Sequence, residues 1–496
     1  MSLCYSKLKN AVFLYISLPV FLFLAFFLRL SAALPCMAAY AAMLCFALRF
    51  GQEGTEKKSE LPVRTLAMLF LAVLLWTYLG GLNGHWFQTT DWDCRNAIFR
   101  DLITHEWPVH YKNGSAMVYY IGHWLPAALA AKLFLPLGGL ELAWAVGQNL
   151  LWLWTAVGIY LVLLLLLTYH EAKTPRQVLV VLLLFVFFSG MDIIGAVITR
   201  HAGELLSPAT MHLEWWTSHF QFSSLTTCIY WVFNQTVIPW LTVMCFLFEK
   251  TPRNYIFLCI ACLASGPFPL VGLAVLMAVR GMGYLLCGIR KRADKRYFAA
   301  LLLPGNLLGM LLVVPVYLMY YVCNNANAGT SEHFAISFKV TVMYFLVFFV
   351  LEAGVYLVLL YRDHKHDALY YGVLFTLLLF PHYRIGASID FCMRSSIPAV
   401  FLMMVFCGES LLKHMDELKR PLCRKNICTT ALVLCLLVGA VTPCVEIGRG
   451  IFHVLQKGSV ELAYDPIYSF ETQPVMYNFS TGSPDKTLFF RYLARK

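Results

Sequence analysis

Apolar runs long enough to cross a bilayer recur along the whole chain, parted by short polar breaks. A helix needs about 20 predominantly apolar residues to span the hydrocarbon core. Runs of that kind, or close to it, fall at 11–30, 33–49, 65–82, 142–167, 177–198, 236–249, 298–322, 337–361, 368–381, 395–412 and 428–446. A further apolar piece at 255–279 is broken by Gly266-Pro267-Phe268-Pro269 and reads as a pair of short helices, tolerable at that depth only if packed on protein or water. The pattern predicts an all-α polytopic membrane protein with about 13 transmembrane helices. A β-barrel would instead alternate apolar and polar residues over segments of about 10. The stretch 117–135 is interrupted by Gly122, His123 and Pro126. It is expected to lie at the outer surface as an amphipathic helix. The first run is read as a spanning helix that also serves for targeting, not as a cleaved signal peptide.

Charge then orients the helices. Lys7 and Lys9 precede the first run, and the loops at 49–64, 169–177, 249–253, 290–296, 362–365 and 413–425 carry Lys or Arg. The positive-inside rule makes these loops and the N-terminus cytoplasmic. The helix count then puts the C-terminal residues outside. Three polar segments, 85–120, 199–235 and 381–396, become exoplasmic.

Composition narrows the class further. The chain of 496 residues is 60% hydrophobic and 13% charged, against about 25% charged in a soluble domain. The net charge of +11 is spread over short loops, so it points to membrane orientation and not to nucleic acid. The 16 cysteines are scattered, and no CxxC has a second CxxC or a His pair at zinc spacing. Cys259 and Cys262 read as small buried hydrophobes. No internal repeat is visible, so the inverted-repeat plan of many transporters lacks support.

The outer segments hold the candidate chemistry, since charges beside an apolar region are costly unless paired or used. The first carries Asp91, Asp93, Asp101 and Glu106, the second His201, Glu204, His212, Glu214 and His219, the third His382, Arg384, Asp390 and Arg394. Their convergence on one outer face would build a polar cavity. Asp91 or Asp93 is a candidate base, because transfer of a group to a hydroxyl or amine needs a carboxylate or similar group to take the proton. Either would also serve as the N-cap of a helix over RNAIFRDLI. Arg384 and Arg394 suit a phosphate, with His382 as a further donor. The plain alternative is an Asp390–Arg394 pair that ties a helix end. Glu214 and His219 are candidate ligands for Mg or Mn, against the reading of His219 as an ordinary interfacial residue. Trp215, Trp216, Phe220 and Phe222 fit an interface belt.

The run Asp91-Trp92-Asp93-Cys94-Arg95-Asn96-Ala97, followed by IFRDL, Trp107-Pro108, Tyr119-Tyr120 and His123-Trp124, resembles the first outer loop of the C-type (GT-C) membrane glycosyltransferases. That superfamily includes the aminoarabinose transferases of lipid A and the protein O-mannosyltransferases. There the loop often opens as Asp-Glu-x-Arg-Tyr-Ala. Here Asp91-Trp92-Asp93 stands instead of the Asp-Glu pair. The resemblance implies a GT-C-like module over 65–412, after two helices and a loop in 1–64. A loop and last helix would follow at 413–446, then an exoplasmic tail at 447–496. It also implies a polyprenyl-phosphate-linked sugar as donor, Asp91 first and Asp93 second as base, and substrate contacts from Arg95, Glu214, His382, Arg384, Asp390 and Arg394.

Two other functions stay open on the residues alone. A transporter or flippase of a lipid-linked or anionic solute would line a path through the bilayer with ionisable groups. Asp192 and Glu352, inside proposed spans, are its best residues. A scaffold subunit without a working site is the third. The expected location is a bacterial inner membrane, since no retention signal is recognised.

Overall fold

The computed structural model describes residues 2–49, 57–199, 212–291, 296–325, 338–383, 390–415, 427–457, 470 and 477–496. The helices are α1 (Tyr5–Phe27), α2 (Leu30–Arg49), α3 (Val63–Leu79), α4 (Trp92–Thr104), α5 (Leu125–Lys132), α6 (Leu135–Tyr169), α7 (Pro175–Phe187) and α8 (Asp192–Thr199). They continue as α9 (Leu225–Val232), α10 (Val237–Phe248), α11 (Tyr255–Ser265), α12 (Pro267–Lys291) and α13 (Pro304–Val322). The last are α14 (Phe338–Phe349), α15 (Val355–His364), α16 (Ala368–Leu379), α17 (Asp390–Lys413), α18 (Ile427–Gly439) and α19 (Val441–Lys457). A π turn, Val350–Gly354, joins α14 to α15.

Among the described residues nine helices are long and apolar enough to cross a membrane, or ten if one bent pair counts as a span. The chain is therefore an all-α multi-pass membrane protein, but not with the 13 spans expected. Four expected spans fall short as single helices: α3, α10, α11 and α16 have 17, 12, 11 and 12 residues. The one at 65–82 is α3, with 17 residues between Pro62 and Gly80, and the one at 368–381 is α16, started by Asp367 and ended near Pro381.

The span expected at 236–249 is α10, with 12 residues, and it starts at a bend. α9 and α10 meet at a bend of 102°. Thr236 Oγ1 donates to the Val232 and Cys228 carbonyls there, at 2.9 and 3.2 Å, and so satisfies backbone that the break would orphan. The Gly266 break lies opposite, where Ser265 Oγ donates to Asn234 O at 2.5 Å. Two interrupted backbones thus face each other inside protein, with one side-chain hydrogen bond between them. The piece around Gly266 is not a pair of short helices either: α11 has 11 residues and α12 has 25.

The stretch 117–135 yields only a 3-10 turn and the eight-residue α5, which buries Leu125, Ala127, Ala128 and Ala131. It is wedged into the protein instead of lying on its surface. Gly122 explains part of this, since a Cβ there would stand 2.4 Å from Ala264 O.

The ends of the chain mark two faces. On one, β1 (Ser2–Cys4) pairs with β2 (Lys58–Glu60), Lys57 Nζ donates to Tyr169 O at 2.9 Å, and Tyr5 OH donates to Glu249 at 3.0 Å. Loops expected on the cytoplasmic side thus gather together. On the opposite face, β3 (Ala116–Met117) pairs with β4 (Ser480–Thr481), and Leu28 bridges Ala494. One hydrophobic cluster runs from Leu3 to Ala494 between the faces.

Candidate functional site

The cavity that collects the candidate residues lies where α4, α9 and α17 begin or end. Its volume is about 190 Å³, and its lining includes Asp91, His212, Gln221, Asp390 and Arg394. Residues from all three polar segments therefore meet at one place, as their convergence required.

Trp92 sets the first wall. It is buried, donates from Nε1 to Tyr230 O at 3.0 Å and stacks on Phe233 at 5.2 Å. That anchor pins the start of α4 to the α9–α10 bend and leaves Asp91 on the cavity. Asp93 stands two residues on, about 200° around a helix of 3.6 residues per turn, exposed and outside the lining. The capping role does not hold for Asp91: its backbone is helical (φ −65°, ψ −18°) and its side chain makes no cap hydrogen bond. Instead Asp91 Oδ2 lies 3.2 Å from Arg95 Nη2. Arg95 is buried, and its Nη1 has no hydrogen-bond partner.

The third segment supplies Asp390 and Arg394, paired at 3.2 Å one helical turn apart. The tying pair foreseen as an alternative is thus present, and it also lines the cavity. The Arg394 side chain is 12% exposed and its Nε is buried without a partner. Tyr119 and Tyr120 feel the field of Arg394. Burial raises the pKa of both phenols, so they stay neutral donors. Arg384 lies outside the described residues, as do His201 and Glu204. His382 does not reach the site: it is exposed, with its ring 4.3 Å from that of Phe345.

The second segment contributes differently from expectation. Glu214 is buried behind the lining, where it accepts from Gln221 Nε2 at 2.8 Å and Ser224 N at 2.9 Å. It braces the loop that presents Gln221 and is not itself on the cavity. His219 is held by a 2.7 Å contact between Nδ1 and Thr217 O and is also off the lining. The pairing of His219 and Glu214 as metal ligands is therefore not what their contacts describe. Among the described residues no three His, Cys, Asp or Glu side chains gather as metal ligands.

His212, from the same segment, is on the cavity, and it depends on a residue the sequence reading passed over. Its Nδ1 lies 2.9 Å from Glu446 Oε1 of α19. Glu446 also accepts from Arg449 Nη2 and Trp231 Nε1, each at 2.9 Å. Burial opposes the charge of His212, but the Glu446 hydrogen bond and the Glu214 and Glu446 carboxylates outweigh it and raise the imidazole pKa. The available signal was the i,i+3 spacing of Glu446 and Arg449 at the end of an apolar run.

Two acids lie deeper. Asp192 Oδ2 accepts from Ser189 Oγ and Thr442 Oγ1, both at 2.9 Å, and Glu352 Oε1 accepts from Trp216 Nε1 at 3.0 Å. Both are buried inside membrane-spanning segments. Gly190 makes room for Glu352, because a Cβ there would meet Oε2 at 1.7 Å.

No family profile matches the chain, and no curated protein or solved structure is significantly similar to it.

Proposed function

We propose that the chain is a membrane glycosyltransferase that takes a sugar from a polyprenyl-phosphate carrier at the cavity lined by Asp91, Arg394 and His212. The observation that supports this most is a carboxylate and a buried guanidinium on the walls of one small cavity, with an aromatic flank of Trp215 and Trp231. Asp91 takes the proton of the acceptor hydroxyl or amine. The freed lone pair attacks the anomeric carbon, the bond from that carbon to the phosphate oxygen breaks, and the lipid phosphate leaves with its electron pair. Arg394 meets the phosphate, whose charge suits a guanidinium with an unused N–H. Ligand pockets run at about 300–1,000 Å³. The smaller cavity here fits the reacting end of a donor, with the isoprenoid tail left in the bilayer.

Donor binding tests the assignment of Arg394. Purified protein in lipid should bind a radiolabelled polyprenyl-phosphate sugar, and Arg394→Gln should weaken binding by about 10- to 100-fold, the scale of a charge-assisted hydrogen bond. Equal binding by the variant would remove Arg394 from the phosphate.

A second reading has its own observation. Asp192 and Glu352, buried within the spans, are what a transporter of an anionic or lipid-linked solute would use. It requires solute uptake that depends on Glu352, whereas the transferase requires product formation that depends on Asp91.

A further inference from the structure

A second hollow, of about 450 Å³, lies on the same face as the Asp91 cavity but at the other end of α4. The 13 residues of α4 separate the two by about 20 Å, and their linings share no residue. The second lining holds Lys132, Arg495 and Lys496 against one acid, Glu106. Its remaining walls are largely apolar: Phe26 from the end of α1, Leu129 from α5, and Trp107.

The Lys132 ammonium and the backbone that carries Arg495 are held in place. Lys132 Nζ donates to His105 O and sits 5.3 Å from the centre of the Trp107 ring. Trp107 is fixed in turn by a 2.8 Å hydrogen bond to Leu102 O and by edge contact with Phe26. The terminal segment is stitched to the end of α1, with Arg29 N on Leu493 O at 2.8 Å and Arg495 N on Phe27 O at 2.9 Å. Beside the hollow, Leu30 and Leu133 are exposed at 72% and 68%, as expected of side chains that meet lipid tails. A cationic mouth with apolar walls, level with the end of a spanning helix, matches an anion that carries acyl chains.

We propose that this hollow binds the phosphate head group of an anionic membrane phospholipid, with its chains running down past Phe26 and Leu129. The proposal rests on the membrane character of the chain and not on the transferase reading.

The test uses the full chain in nanodiscs or mixed micelles, with fluorescent phosphatidylglycerol and phosphatidylcholine as probes. Phosphatidylglycerol should bind the wild type at least about tenfold more tightly, and each cation removed in Lys132→Gln and Arg495→Gln should cut that preference about fivefold. Lys132→Arg, which keeps the charge, should retain it, and so should Asp91→Asn, so failure of the two sites is distinguishable. Equal binding of the two lipids by the wild type, or an undiminished preference in the Gln variants, overturns the proposal. Full displacement of the anionic lipid by millimolar inorganic phosphate would assign these cations to free phosphate and overturn the lipid assignment.

Discussion

Replacing Glu446 should expose how much of the cavity wall depends on one buried carboxylate. Glu446 is 4% exposed, and His212, Trp231 and Arg449 all point polar hydrogens at it. Glu446→Ala removes the carboxylate that lies 2.9 Å from the Arg449 guanidinium, itself 8% exposed. Breaking a buried ion pair by removing one partner costs about 3–5 kcal/mol. Glu446→Gln keeps the shape but turns an amide group toward one of the donors, and should cost about 1.5–3 kcal/mol, the scale of one charge-assisted hydrogen bond. Arg449→Met alone should also destabilise. The double variant Glu446→Gln/Arg449→Met should cost less than the sum of its parts by at least about 1 kcal/mol, because the guanidinium that the lost carboxylate balanced is then gone as well. Unfolding in mixed micelles, followed by tryptophan fluorescence, reads these differences. The pH dependence gives a second check. The imidazole pKa of His212 is raised in the folded state, so its contribution is fully present below the unfolded value of about 6.5 and is lost as pH rises through the folded value. Glu446→Gln should weaken that slope, since Glu214 alone then supports the imidazolium. A cost below about 1 kcal/mol for Glu446→Ala, strict additivity, or an unchanged pH slope would refute the reasoning.

Two further substitutions probe how the site is held. Trp92→Ala removes the anchor on Tyr230 and Phe233. It should cost about 3–5 kcal/mol of stability and lower activity through misplacement of Asp91, both read on the purified variant. Gly122→Ala forces a methyl group onto Ala264 O. A loss of about 1–3 kcal/mol is expected for overpacking against backbone, seen as a lower midpoint in the same unfolding assay.

The sequence carried the class of the molecule, because hydropathy and charge are local signals, and it permitted the gathering of the polar segments without showing it. It was weaker where geometry depends on packing. The polar triplet Asn234-Gln235-Thr236 marks a boundary in the sequence, but not that the helices on either side meet at 102°. The count of spans failed for a related reason: α3 and α16 have the composition of spans but stop at 17 and 12 residues. In the site, the residues alone left Asp91 and Asp93 both open as the base, and only the resemblance ranked Asp91 first. Only the burial of Trp92 between them tells which one faces the cavity. Glu214 and His219 looked like ligands because both are polar beside an apolar region, yet their hydrogen bonds run into their own loop. Glu446 was missed because it closes an apolar run, where a carboxylate reads as a boundary. Only Arg449, three residues on, is within reach of a spacing argument; His212 and Trp231 come from distant segments.

The most direct test of the central claim is single-turnover sugar transfer by protein in lipid. A mixed set of radiolabelled polyprenyl-phosphate sugars serves as donor and a membrane extract as acceptor, with wild type, Asp91→Asn and Asp93→Asn compared. Transfer by the wild type, a loss of about 10²- to 10⁴-fold in Asp91→Asn with donor binding kept, and near-normal turnover in Asp93→Asn is the result expected. A wild type that neither binds nor consumes any donor, or an Asp91→Asn variant that turns over normally, would contradict the account.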